Sequence, residues 1–237
     1  NEDGVGGMHI YTPWWLDNKK AKLDFPRGYH IEYGGGRGMP NYGFGWGIEG
    51  LNGKEKYTRD GLRKAAGGYG ATLKEDYRRY YGSYVGFAGR GEPVPREDNY
   101  CEIDPNVVDK YGIPVVRFNY KWSDYEIKQA KHMQDTFEEI LTNAGATLLG
   151  TKPGPESMYG LAAPGRIIHE VGTTRMGNDP KSSVVNSNCQ LHSCKNLFVV
   201  DAGPFVSQAD KNPTWTILAL SWRTSDYIIE QLKQKNI

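Results

Sequence analysis

Leu197-Phe198-Val199-Val200-Asp201-Ala202-Gly203, followed by Asn212-Pro213-Thr214-Trp215, is the stretch whose reading decides the fold. An apolar run that halts at an Asp is the pattern of a buried parallel strand with its carboxyl end at a ligand crevice. Asp201 then stands where a ribose or ribityl hydroxyl can be bound. Asn212 before Pro213 predicts a helix start, because Asn accepts from orphan N–H groups and Pro gives up an N–H that had no partner. The positive end of that helix points into the same crevice. Shortly upstream lies His169-Glu170-Val171-Gly172-Thr173, after the apolar pair Ile167-Ile168.

A lone parallel strand cannot stand by itself. The rest of the chain supplies antiparallel material instead. Strand-like pieces occur at Met8–Tyr11, Tyr29–Tyr33, Ser83–Ala88 and Asn99–Ile103, the last closed by an Asp104-Pro105-Asn106 turn. From Val116 to Trp122 the chain alternates strictly, with Val116, Phe118, Tyr120 and Trp122 on one face and Arg117, Asn119 and Lys121 on the other. Ser123-Asp124-Tyr125-Glu126 is a capping box. It launches a helix whose Ile127, Ala130, Phe137 and Leu141 form one stripe, which Gly145 stops and which should pack on the 116–122 strand. Further elements are expected at 71–81 (helix), 146–150 and 166–168 (strands). Gly45-Trp46-Gly47-Ile48-Glu49-Gly50 matches a dinucleotide fingerprint formally, but no buried strand leads into it and no helix follows.

The predicted fold is therefore α+β: an antiparallel β-sheet domain with helices on one face, plus a C-terminal strand and helix that complete a doubly wound domain. The boundary falls between residues 1–193 and 194–237. That terminal helix carries Leu218, Trp222, Ile229 and Leu232 on one side, apolar surface that neighbouring strands and helices of such a domain would have to cover.

Composition narrows the partners. Twenty-nine Lys and Arg against 28 Asp and Glu leave a net charge of +1, which gives no electrostatic case for nucleic acid or an anionic membrane. No stretch approaches the roughly 20 apolar residues of a membrane span. Three Cys make no even disulfide framework. Cys189, His192 and Cys194 lie close together, but zinc wants four ligands at familiar spacings, so no metal site is assigned. His9 and His30 carry no partner pattern, and His132, within the helix, reads as a surface residue. The 16 Tyr and 6 Trp, dense at Met8–Trp15 and Tyr42–Trp46, suit a stacking surface for sugar rings about as well as plain sheet packing.

His169-x-x-Gly172-Thr173-x-x-Met176-Gly177, Asn196–Ala202 and Asn212-Pro213-Thr214 together closely resemble the C-terminal signature of the glucose-methanol-choline (GMC) oxidoreductases, in the manner of the sugar and gluconate dehydrogenases. The resemblance implies an FAD-dependent oxidation of a sugar, glycoside or polyol alcohol, with His169 and Asn212 as the catalytic pair. It implies cofactor contacts at Asp201, Ala202, Asn212, Pro213 and Thr214, with the Ala202 N–H offered to the pyrophosphate. An imidazole can take the alcohol proton as hydride leaves the adjacent carbon. The phosphate-binding fingerprint of that family precedes the substrate domain, so the resemblance implies an N-terminal FAD-binding segment of the same enzyme and a cytochrome or small-subunit partner; it favours the periplasm, and the sequence itself assigns no compartment. A non-catalytic carbohydrate- or protein-binding module derived from such a domain is the alternative.

Overall fold

A computed structural model describes residues 8–11, 22–35, 85–146, 148, 151–166 and 169–237. The expected helix over 71–81 and the glycine-dense Gly45–Gly50 loop lie outside the described residues. So do the last two residues of the 166–168 strand and most of 146–150, of which Ala146 and Leu148 are described and belong to no strand. The chain divides into two compact units, one of residues 1–91 and 127–161, the other of residues 92–126 and 162–237.

The first unit is a three-stranded antiparallel sheet, β1 (Met8–Ile10), β2 (Tyr29–Gly35) and β3 (Val85–Gly91), in the order β1-β2-β3. Its register places Ile10 opposite Ile31 and Tyr33 opposite Phe87. Side chains alternate along a strand, so Tyr29, Ile31, Tyr33 and Phe87 share a face. That face is covered by α1 (Asp124–Asn143). Phe25, Tyr29, Ile31 and Met133 form the buried core, with Ile10, Leu23, Phe87, Phe137 and Ile140 packed around it. The helix approaches β3 closely because Gly89 has no side chain: a Cβ there would meet Met133 Sδ and lie 3.1 Å from Phe137 Cζ.

Two expectations about α1 are corrected here. The helix packs on the β1–β2–β3 sheet, where the sequence reading sets it on the sheet of the 116–122 strand. Its inner stripe is Ala130, Met133, Phe137 and Ile140 rather than Ile127, Ala130, Phe137 and Leu141, because Met133 and Ile140 complete the 3.6-residue period on the side that meets the sheet. His132 is also not a surface residue. Its ring is half-buried, packs edge-on against Phe25 and Tyr29, and shares a hydrogen bond of 2.8 Å between Nδ1 and the Tyr29 hydroxyl. Gln129 adds a tie between helix and sheet, its Nε2 donating to the carbonyls of Arg27 and Gly28.

Both ends of α1 follow from local chemistry. Glu126 reaches back to accept from the Ser123 backbone N–H at 2.7 Å and from the Ser123 hydroxyl, and also accepts from the Val94 N–H at 2.9 Å. At the other end Ala146 N–H donates to the Leu141 carbonyl and Gly145 N–H to that of Thr142, the paired bonds of a Schellman motif with Gly145 at φ +74°.

The second unit holds an antiparallel ribbon, β4 (Tyr100–Val108) and β5 (Pro114–Asn119), and the C-terminal helix α2 (Thr214–Lys233). The expected turn at Asp104-Pro105-Asn106 is an irregularity inside β4, and the hairpin closes later. The Asp109 carboxylate accepts from the N–H groups of Tyr111 and Ile113, and Gly112 takes φ +81°. Asp104 makes the same kind of local bonds, to Asn106 and Val107, but no residue beside it adopts a left-handed conformation, so the strand bends there and continues.

Val116–Trp122 is thus a strand over its first part only. Its alternation holds: Cys101 pairs with Phe118 and Ile103 with Val116 on one face, while Arg117 meets Glu102 on the other. Phe118 is 64% exposed, and Ile103 and Val116 are exposed beside it. Trp122 turns its indole Nε1 to the Ala162 carbonyl at 2.9 Å.

Two outcomes are expected in unfolding experiments on the full-length protein. Ser123→Ala should cost about 1 kcal/mol, the usual loss of an N-cap, and Glu126→Ala about 2 kcal/mol or more, because it strands half-buried donors from two segments. Equal losses in chemical denaturation would show that the Val94 contact adds nothing. His132 gives the pH dependence. Burial lowers its pKa below the usual 6.5, so both states hold the neutral ring above that value, while below it the unfolded chain binds the proton first. Stability should fall as pH drops below about 6.5, and His132→Gln should flatten that slope.

Candidate active site

The site is built from the two sequence segments of the second unit that carry the signature. Residues 172–176 lie along residues 202–204. Gly172 N–H donates to the Ala202 carbonyl at 3.3 Å, Thr174 N–H to that of Gly203 at 3.1 Å, and Met176 N–H to that of Pro204 at 2.9 Å. Gly203 and Pro204 are buried at this seam. A Cβ on Gly203 would strike Thr174 Oγ1 and lie 2.9 Å from Asp201 Oδ1 and 3.2 Å from Thr173 Oγ1. Only a residue without a side chain lets the two segments close this tightly. Thr174 Oγ1 is itself buried and has no hydrogen-bond partner among the described residues.

Asp201 is exposed, and its Oδ1 accepts from the Gly203 N–H at 2.7 Å. The bond is an Asx turn that points the chain back from the apolar run and fixes the carboxylate at the rim of the seam. Ala202 is half-buried beside it. The run before them departs from expectation. Leu197–Val200 is not a strand: it makes a single antiparallel bridge, Phe198 with Gln190, flanked by bonds from Leu191 N–H to the Leu197 carbonyl and from Val199 N–H to that of Cys189. A parallel strand needs neighbours, and among the described residues the run's one β-bridge is that to Gln190. Leu197 and Val200 are left exposed.

His169 lies three residues before the first rung of the seam, half-buried and outside regular structure, and its ring makes no hydrogen bond among the described residues. Asn212 is exposed and directly precedes buried Pro213. The expected Asn cap is corrected. Pro213 occupies the cap position, with helical φ −81° and ψ −13°, Thr214 begins the helix, and no side chain caps the first turn. A proline in helical conformation moves the boundary one residue past Asn212, which frees the Asn amide from capping. The first turn of α2 also holds no acidic residue. Its positive dipole end therefore takes no counter-charge from that turn.

The inner side of α2 is anchored within the unit. Thr224 is fully buried, its hydroxyl donating to the Asn188 carbonyl at 3.3 Å, Arg223 donates to that of Ser187, and Tyr227 packs edge-on against Phe198. The opposite stripe faces outward: Trp215 is 84% and Trp222 75% exposed, with Leu218, Ile229 and Leu232 exposed as well. Cys189, His192 and Cys194 do not converge. His192 pairs with the Ser183 hydroxyl at 2.9 Å, and the Cys194 thiol faces Asn196.

Residues 95–221 match the family model described as GMC oxidoreductase. The chain belongs to the GMC oxidoreductase family. Among curated GMC-related proteins it is 32% identical over 160 residues to 2-methyl-1,2-propanediol dehydrogenase of Mycolicibacterium austroafricanum, covering 68% of this chain and 28% of that protein. It is 28% identical over 169 residues to the gluconate 2-dehydrogenase flavoprotein of Pantoea cypripedii, covering 71% of this chain and 27% of that one. With the fructose dehydrogenase large subunit of Gluconobacter japonicus it shares 28% identity over 186 residues, 78% of this chain and 32% of the relative. The chain thus spans about a quarter to a third of the length of these relatives. The GMC match contains the seam, Asn212 and the first turns of α2.

The close approach at the seam gives a direct test of its geometry. Gly203→Ala should destabilise the full-length GMC protein by about 1–3 kcal/mol through overpacking. Thr174→Ala removes the nearest clashing atom. In a double-mutant cycle by denaturant unfolding, the pair should recover at least about 0.5 kcal/mol relative to additivity. Strictly additive losses would mean that the two side chains do not meet.

Proposed function

We propose that this chain is the C-terminal part of a flavin-dependent enzyme that oxidises an alcohol group of a sugar, glycoside or polyol. In this reading His169 accepts the hydroxyl proton through its imidazole while hydride leaves the same carbon. Bound FAD supplies the hydride acceptor. Asn212 donates its side-chain amide to the substrate oxygen and holds the alcohol against His169. Asp201 receives a ribityl or ribose hydroxyl, Ala202 offers its N–H to the pyrophosphate, and Pro213 and Thr214 present the positive end of α2 to negative charge. Residues 1–193 act as the substrate-binding domain. Residues 194–237 belong to a doubly wound FAD-binding domain whose remaining strands and phosphate-binding turn lie in an N-terminal segment of the same enzyme.

The observation that carries this reading is the seam itself. It draws residues 172–176 and 202–204 together and leaves the buried Thr174 hydroxyl without a partner among the described residues, while the start of α2 carries no acid in its first turn. Such a place suits a polar, negatively charged ligand. The outward stripe of α2 supports the further domain, since an apolar stripe of this kind is normally covered. The names of the relatives, a diol, a gluconate and a fructose dehydrogenase, support the substrate class. That the fructose enzyme is named for its large subunit supports a smaller protein partner.

His169→Ala in the full-length enzyme should keep its flavin and lose at least about a hundredfold in turnover, the range for a lost general base. Flavin reduced by substrate at the normal rate in that variant would remove His169 from the reaction. Asn212→Ala is expected to slow turnover while leaving stability within about 0.5 kcal/mol, because its side chain caps nothing. A drop in melting temperature with unchanged turnover would assign Asn212 a structural part only.

A further inference from the structure

The face of the three-stranded sheet turned away from α1 carries a second cluster. The register sets His9 opposite Glu32 and His30 opposite Arg90. His30 and Glu32 are two apart on β2, so all four side chains leave the sheet on one face, while Tyr29, Ile31 and Phe87 leave it on the other. One imidazole nitrogen each from His9 and His30 and a carboxylate oxygen of Glu32 lie within 4.8 Å of one another. Arg90 holds Glu32 Oε2 from both Nε and Nη2 at 2.8 Å. The other oxygen, Oε1, is left on the histidine side, 3.9 Å from His30 Nε2.

The surroundings match a ligand set better than a packing accident. His30 is 2% exposed. His9 Nδ1 is buried with no hydrogen-bond partner among the described residues. A buried ring nitrogen without a partner is costly unless something binds it. The two rings stand 4.9 Å apart at 49°, and Tyr11 stacks on His9 at 5.7 Å, which fixes the ring of His9.

We propose that His9, His30 and Glu32 bind a divalent transition-metal ion of the zinc class. Two imidazoles and one carboxylate suit a borderline cation; calcium and magnesium prefer all-oxygen shells. Ligands at about 2.0–2.2 Å from a tetrahedral zinc ion lie about 3.3–3.6 Å apart, so the set closes on the metal by up to about 1.4 Å through side-chain rotations. Three protein ligands leave a fourth position for water. Arg90 plays the outer part: it orients the carboxylate, and its charge keeps affinity below that of a structural zinc site. The ion would clip β1 to β2 and stabilise the folded state by mass action.

Titration of the full-length protein, freed of metal by chelation, with zinc chloride tests this by calorimetry and by thermal unfolding. One zinc per chain, with a melting temperature that rises with zinc concentration, is expected. His9→Ala and Glu32→Gln should each weaken binding at least about tenfold, and His169→Ala should bind zinc like the wild type. His30 is buried and its loss threatens folding, so these variants carry the test. Absence of saturable one-to-one binding, binding unchanged in His9→Ala, or binding lost in His169→Ala would overturn the assignment.

Discussion

Three backbone hydrogen bonds, from Gly172, Thr174 and Met176 to the carbonyls of residues 202–204, are the constraint on which the candidate site depends. They require a residue with no side chain at 203, because Thr174 Oγ1 already fills the place of a Cβ. They fix where the chain emerges on both sides, toward His169 in one direction and toward Asn212 and α2 in the other. No single bond of this kind contributes more than about 1 kcal/mol net. Their effect is positional: they hold residues 172–176 against residues 202–204.

Much of this was legible in the sequence, and the failures have physical causes. The capping box at Ser123 and Glu126 and the stop at Gly145 were readable because both depend on atoms within a few residues. The β4–β5 turn was misplaced because Asp104-Pro105-Asn106 and Asp109–Gly112 share the same turn chemistry; only the left-handed conformation of Gly112 decides between them. The α1 stripe shifted because its phase is set by the sheet it meets, a tertiary fact. Leu197–Val200 reads as a buried strand on composition, yet its pairing depends on neighbours, and the one it meets here runs antiparallel. His9, His30 and Glu32 could not be grouped from sequence, since the β1–β2 register brings them together. The weak signal was there in His30-x-Glu32, two residues on one face of a strand.

Among the described residues, the stripe of α2 from Trp215 to Leu232 and the Ile103, Val116 and Phe118 face of the ribbon remain outward. Covering a large apolar side chain contributes about 1.5–3 kcal/mol. Under the proposed function, the helix stripe is covered by the flavin-binding segment, so that the affinity for FAD and the stability of α2 depend on the same contact. The polar end of α2 and its apolar side then serve one purpose, presenting a positive helix terminus to the cofactor from a firmly packed base.

The most direct measurement is a fluorescence titration of the isolated 237-residue chain with FAD, set beside the full-length enzyme. The account predicts that full-length protein binds FAD stoichiometrically and that the isolated chain binds it poorly and shows no alcohol-dependent flavin reduction. Tight one-to-one binding by the isolated chain, with a flavin that a sugar or polyol alcohol reduces, would contradict it.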